Sequence, residues 1–299
     1  VGNLAEQAAA ELLMVRPAAF GFNSETFESN PFQHLQEGDI LVKVLSEFDR
    51  LIDRMTNKGI QVHVWQDQDT PPKPDAIFPN NWFSTHHDGT LVLYPMAAAN
   101  RRLECNEKVL GYLQEIHPSD KILDLRSFEQ KGLFLEGTGS VVFDHVQKRA
   151  YMARSARSDQ TVLNQLCGHL GYHPVYFDSM GPAGKPVYHT NVLLSIGPDA
   201  IVCCDEVLAD PAACIRPFEQ SEREMLLISF EQMMAFAANV LVVKGRQSLV
   251  MFISSTAYNA LRIDQRSILE KHYELLVAEI PTIEYVGGGG IRCILAELF

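Results

Sequence analysis

The chain has 299 residues, of which 46% are apolar and 21% charged, with a formal net charge of −12. This is the composition of an ordinary globular protein with enough apolar side chains for a substantial core, and its acidic balance argues against a phosphate-backbone partner, which needs a basic footprint. No stretch approaches the roughly 18 apolar residues needed to span a bilayer, so neither nucleic acid nor a membrane is an expected partner.

The opening VGNLAEQAAAELLMV has no basic region before its apolar residues and does not read as a signal peptide. The first periodic segment is 40–58 (ILVKVLSEFDRLIDRMTNK), with Leu41, Val44, Leu45, Phe48, Leu51, Ile52 and Met55 at helical spacing. Lys58-Gly59 closes that helix, and IQVHVW then alternates as a strand. The pairing returns four times: 101–116 before KILDL, 158–170 before PVYF, 218–238 before VLVV (240–243), and 262–279 before TIEYV (282–286). Between these units lie the strand-like runs TLVLYPM, SVVFD, NVLLSIG, AIVCCDEV and SLVMFIS, and Asp88-Gly89 marks a hairpin. No linker divides the chain. These five helix-then-strand units predict one α/β domain over 1–299, its ββα-type units closing around a common axis.

The polar residues fall at matching places in these units. Asn80 and Asn81 follow the first helix-then-strand pair, Glu136 the second, His189 and Asn191 the third, and Cys293 the last. Each has a plainer reading alone: His189 as a core or rim histidine, Glu136 as a turn acid, Asn80-Asn81 as a turn, Cys293 as an inert buried thiol. At corresponding ends of symmetric units they converge on one pocket. A thiolate is a nucleophile, and an imidazole can take its proton, protonate a leaving nitrogen and then activate water. Glu136 and the amides supply hydrogen bonds to a planar substrate group rich in nitrogen. The glycines 287–290 let backbone approach the substrate as a pocket wall. His86-His87-Asp88 reads as a hairpin tip, because adjacent histidines in a strand face opposite ways. The six cysteines form no CxxC pair and no metal-like spacing with histidine, so a reduced, cytoplasmic protein without metal or cofactor is expected.

On LEGTGSVVFD, YHTNV and GGGGIRC, in that order with the cysteine last, the chain resembles the guanidino-group-modifying superfamily: arginine deiminases, dimethylarginine and succinylarginine hydrolases, and amidinotransferases. The likeness runs from about 12 to Cys293. It implies a five-bladed α/β propeller (pentein) of pseudo-fivefold ββαβ units, without a cofactor. Carried over by position, Cys293 is the nucleophile, His189 the general acid/base, and Glu136 a hydrogen-bonding partner of substrate nitrogen that orients His189. Arg157, in SARSD, matches a residue that grips the substrate α-carboxylate, and Phe78, Asn80, Asn81 and Asn191 fall in the substrate-binding stretches.

The departures concern charge. Many deiminases have acids where this chain has Asn81 and Asn191. An asparagine offers both donor and acceptor, which suits a neutral urea, whereas paired carboxylates suit a guanidinium. PNNWFSTH and YHTNV resemble citrulline-hydrolase-like members most closely, and succinylarginine-dihydrolase-like members next. The expected activity is therefore hydrolysis of a C–N bond in a ureido or guanidino amino acid, citrulline first, giving ornithine, ammonia and carbon dioxide. A deiminase, a dimethylarginine-type hydrolase or an amidinotransferase acting on an arginine-like substrate is the alternative. A non-catalytic binding module on the same propeller, as in the ribosome anti-association factor, is the alternative of another class. The expected partner is a small amino acid, and the assembly is left open, a homodimer included.

Overall fold

The computed structural model describes residues 4–218 and 221–299. The fifteen strands of the described residues form five three-stranded sheets of one pattern: an antiparallel pair, a hairpin in all but the first sheet, then a helical crossover to a third strand parallel to the middle one. In the first sheet β1 (Glu11–Arg16) lies between the parallel β2 (Gln61–Gln66) and the antiparallel β15 (Ala296–Leu298). The second holds β3 (Phe83–Thr85), β4 (Thr90–Leu93) and β5 (Lys121–Asp124), and the third β6 (Val142–Asp144), β7 (Arg149–Ala153) and β8 (His173–Phe177). The fourth holds β9 (Leu194–Ile196), β10 (Ala200–Cys203) and β11 (Glu224–Leu227), and the fifth β12 (Leu241–Lys244), β13 (Leu249–Ser254) and β14 (Glu274–Ala278).

Each crossover helix forms for a local reason. Ile40–Asn57 buries Val44, Phe48, Leu51 and Met55 against Leu12, Met14, Phe252 and Leu276 of the first and fifth sheets. Gly59, at φ +69°, turns the chain into β2. Glu107–Ile116 starts at Asn106, whose side chain accepts from the N–H groups of Lys108 and Val109, and Gln160–Leu170 starts likewise at Asp159. Gly171 ends that last helix in the left-handed region. The hairpin at Asp88-Gly89 closes with His86 N–H donating to Thr90 O. No helix among the described residues is long and apolar enough to cross a membrane.

Two of the five expected units differ. The helix expected over 218–238 is interrupted by β11, whose EMLL run pairs with β10. A separate helical turn, Phe230–Met234, begins at the Ser229–Gln232 capping box, and Phe236, at φ +63°, ends any continuation. The helix expected over 262–279 stops at His272, and ELLVA (274–278) joins β13 as β14. TIEYV is not a strand. The Glu47 carboxylate accepts from the backbone N–H groups of Thr282 and Ile283 and starts a π-helical turn, Ile283–Gly287. Both apolar runs are short, and long-range partners decide them.

The third and fourth sheets are joined by a buried ion pair. Arg223, just before β11, donates from both terminal nitrogens to Asp144 at the end of β6. Removing one partner leaves a buried charge uncompensated, so Asp144→Ala should lower unfolding free energy by about 3–5 kcal/mol in urea titrations. The double change Asp144→Leu/Arg223→Met should recover most of that loss.

Candidate active site

The turn before the first strand of each sheet carries a buried polar or reactive side chain. Asn81 precedes β3, Glu136 β6, His189 and Asn191 β9, and Cys293 β15. The fifth sheet supplies one that the sequence reading passed over: Asn239, wholly buried before β12. A narrow cleft brings together Phe78, Asn81, Arg157, His189 and Cys293, with glycines 287–289 as one wall. Asp75, Arg101 and Tyr188 also line it, and none of these was singled out from sequence.

Glu136 is the electrostatic centre. Its carboxylate has no exposure; Oε2 lies 2.8 Å from His189 Nε2, 3.4 Å from Arg157 and 4.0 Å from Arg101, and Oε1 accepts from Ala97 N–H. Burial alone would push this carboxyl up, but Arg157, His189 and Arg101 hold it far below the usual carboxylate range. For His189 the burial effect wins, and its pKa falls to about 4 despite Glu136. With Nε2 committed to Glu136, Nδ1 is the nitrogen that can exchange a proton. It lies against bare Gly139, where a Cβ would stand 2.7 Å away.

Asn81 accepts from Arg101 at Oδ1 (2.8 Å), which fixes the amide's orientation and leaves its buried Nδ2 an unpartnered donor. Asn80 is buried nearby, its backbone carbonyl accepting from Thr138, and both its side-chain polar atoms are unpartnered. Arg101 itself is held above its ordinary value: burial opposes the charge, and Glu104 and Asp75 more than offset that. Asp75 accepts from Asn23 and Thr26 through Oδ2, while Oδ1 is an unpartnered acceptor. Burial, only partly countered by Arg101, raises its pKa.

Arg157 does not stand open. It donates to Ser29 Oγ and Thr26 O and lies over the Tyr188 ring, so its fork is occupied by the segment 23–33 that covers the cleft. The same segment reaches the glycine wall, where Asn30 donates to Gly288 O and Gln33 to Gly287 O.

Cys293 is 4% exposed and sits between two amides, with Asn191 Nδ2 at 3.8 Å and Asn239 Nδ2 at 3.4 Å from Sγ. Burial pushes its thiol up, opposed by the Asn239 hydrogen bond and the Arg292 charge. The glycine run is a packed wall. Gly288 adopts φ +65°, and a Cβ on Gly290 would meet Asn239 Oδ1 at 2.6 Å. The His86-His87 pair lies elsewhere, His86 buried and bonded to Ser84, His87 exposed and bonded to Glu6 O. Among the described residues no group of three or more His, Cys, Asp or Glu could hold a metal ion.

Comparison with known proteins adds a family. The family model described as "N,N dimethylarginine dimethylhydrolase, eukaryotic" matches residues 16–299. Among solved structures, the N-terminal domain of a mutant of ArgZ, an arginine dihydrolase from the ornithine-ammonia cycle in cyanobacteria, bound to substrate, superposes with a TM-score of 0.74 at 13% identity over 96% of this chain and 98% of that one. An AgrE mutant in complex with L-arginine gives 0.76 at 14% identity, over 97% and 40%. A dimethylarginine dimethylaminohydrolase mutant, as an adduct with S-methyl-L-thiocitrulline, gives 0.68 at 14% identity, over 96% and 99%. At those identities the likeness is one of fold. No curated protein matches the chain by sequence.

A resting site with a raised thiol and a lowered imidazole holds both groups neutral at pH 7. The thiolate absorbance of Cys293, taken against a Cys293→Ser reference, should therefore titrate with a midpoint above that of an ordinary cysteine thiol in the unliganded protein. A plateau already reached at neutral pH would mean a preformed thiolate–imidazolium pair.

Proposed function

The chain belongs to the N,N dimethylarginine dimethylhydrolase family, and from that premise we propose that it is a thiol hydrolase acting on a C–N bond at the guanidino or ureido end of an amino acid. Its five sheets close around one axis as a five-bladed propeller, and residues 1–299 form a single catalytic domain. Cys293 attacks the planar carbon of the substrate group. His189 passes a proton to the departing ammonia or amine, then activates water to release the product from Cys293. Glu136 keeps His189 in place and accepts from substrate nitrogen. Arg157 takes the substrate α-carboxylate, which replaces Ser29 and Thr26 O as acceptors, while Phe78 and the glycine wall flank the substrate.

One observation carries the choice of substrate. Asn81 Nδ2 is a buried donor without a partner, and a guanidinium group has no acceptor to offer it. A urea oxygen does. Asn191 Oδ1, a buried acceptor without a partner, suits the urea N–H on the same reasoning. The preferred substrate is thus a ureido amino acid, citrulline, giving ornithine, ammonia and carbon dioxide.

A second reading has its own support. Asp75 Oδ1 is an unpartnered acceptor in the cleft and Glu136 is charged, which suits the cation of arginine or a methylated arginine. The arginine complex of AgrE and the arginine dihydrolase ArgZ lie on this side.

Citrulline, arginine, dimethylarginine, agmatine and succinylarginine, assayed for ornithine, ammonia and amine release, separate the two readings. Citrulline turnover is expected. Turnover of arginine with no action on citrulline overturns the ureido reading and leaves the hydrolase standing. Asn81→Asp, which removes the free donor and keeps an acceptor for Arg101, should cut kcat/KM for citrulline by 10-fold or more, on the order of the ~1–3 kcal/mol of an unmade buried hydrogen bond.

A further inference from the structure

We propose that Asn239 is a fifth member of the site, an amide that sets the protonation state and position of the nucleophilic sulfur. This rests on the reading of Cys293 as nucleophile and adds a residue that lies outside the sequence motifs carrying the resemblance.

The argument begins with placement. Asn239 follows β11 by twelve residues (Leu227 to Asn239), as His189 follows β8 (Phe177 to His189) and Glu136 follows β5 (Asp124 to Glu136). It therefore occupies in the fourth unit the position held by Glu136 in the second and His189 in the third.

Geometry then fixes what the amide can do. Arg292 backbone N–H donates to Asn239 Oδ1 at 3.0 Å, and Asn239 Nδ2 donates to the Asn191 carbonyl at 3.1 Å. An N–H needs an acceptor and a carbonyl needs a donor, so these two contacts lock the amide against flipping. Nδ2, which keeps a second hydrogen to donate, lies 3.4 Å from Cys293 Sγ, and Oδ1 lies 3.6 Å from the same sulfur. As a thiol, Cys293 can donate to Oδ1; as a thiolate, it accepts from Nδ2. Asn239 thus has a partner ready for each protonation state, and the donor that stabilises the thiolate is already oriented. Asn191 contributes a longer contact of 3.8 Å. Gly290 is what lets Asn239 come this close, since any side chain there would occupy the position of Oδ1.

The test reads the sulfur directly. Thiolate absorbance against pH is measured for the full chain with wild-type Asn239, Asn239→Ala and Asn239→Asp, each against its own Cys293→Ser counterpart. Losing one hydrogen bond to an anion should raise the titration midpoint by about 1 unit in Asn239→Ala. Asn239→Asp keeps the shape and the acceptor for Arg292 but replaces the donor with a carboxylate, so its midpoint should rise further. In both, kcat on whichever substrate is turned over should fall about 10-fold or more, with a smaller change in KM. A folded variant with an unmoved midpoint overturns the proposal even where kcat falls, because a structural residue could cause that. Should Asn239→Ala not fold, the nearly isosteric Asn239→Asp decides. If the midpoints shift but the wild type turns over no guanidino or ureido substrate, the hydrolase reading fails and the assignment of Asn239 stands.

Discussion

A carboxylate that keeps its charge without touching water organises this molecule. Burying an ion alone costs far more than a domain's net stability, so Glu136 can be ionised only where cations surround it. Arg157 and Arg101 do so, while the neutral His189 adds a hydrogen bond through Nε2, each from a different part of the chain. Arg101 stands in the turn after β4, Arg157 after β7, and His189 before β9. Their remaining donors extend the network. Arg101 reaches Asn81, Phe78 O and Glu104, while Arg157 reaches Thr26 O and Ser29. The second, third and fourth sheets and the covering segment 23–33 therefore meet at one buried charge.

That charge also sets the chemistry available at rest. With Arg101 and Arg157 beside Glu136, an added imidazolium at His189 faces two like charges as well as desolvation. A thiolate at Cys293 meets desolvation too, eased by Asn239 and Arg292. The neutral thiol and neutral imidazole are the low-cost pair, and in the proposed reaction charge separates when a substrate brings new hydrogen bonds and a carbon to attack. Asn81 and Asn191, holding a free donor and a free acceptor, offer such bonds without adding another charge to the network.

Much of this was legible in sequence because the fold repeats its own grammar. Helical spacing over 40–57, Gly59 and Gly171 as stops, and Asp88-Gly89 as a hairpin are local signals, and the structure keeps them. Glu136, His189 and Asn191 were reached by counting from KILDL and PVYF, which are the strands β5 and β8, whereas Cys293 was reached from TIEYV, which is a helical turn after β14. Asn239 was missed because the strand before it was misread. With 218–238 taken as one helix, β11 vanished and VLVV (240–243) took its place as the strand to count from, which lies after Asn239. A quieter signal remained, since Asn-Val-Leu occurs at both 191–193 and 239–241, each leading into a first strand. Asp75 and Arg101 carried no such mark. Their importance comes from partners distant in the chain, Asn23 and Asn81 among them, and a single sequence does not display those pairings.

The cysteine turn is held from both sides, and this decides which part of the site can yield. Upstream, Glu47 caps the π-helical turn that leads into the glycines. Downstream, β15 pairs with β1, Arg292 bonds Glu297 and Leu295 O, and Phe299 N–H donates to Thr85. Sheet pairing on one side and a capped helical turn on the other leave Cys293 little freedom, which is what attack on a planar carbon requires. The segment 23–33 is tied differently. It reaches the glycine wall through the Asn30 and Gln33 side chains, and it reaches Arg157 through one carbonyl and one hydroxyl. On the proposed role of Arg157, a substrate carboxylate would replace those last acceptors one for one, whereas nothing in an amino acid can replace a strand of the first sheet. On that reading, access to the buried sulfur is a matter of exchanging ligands on Arg157, with the turn that carries Cys293 left in place.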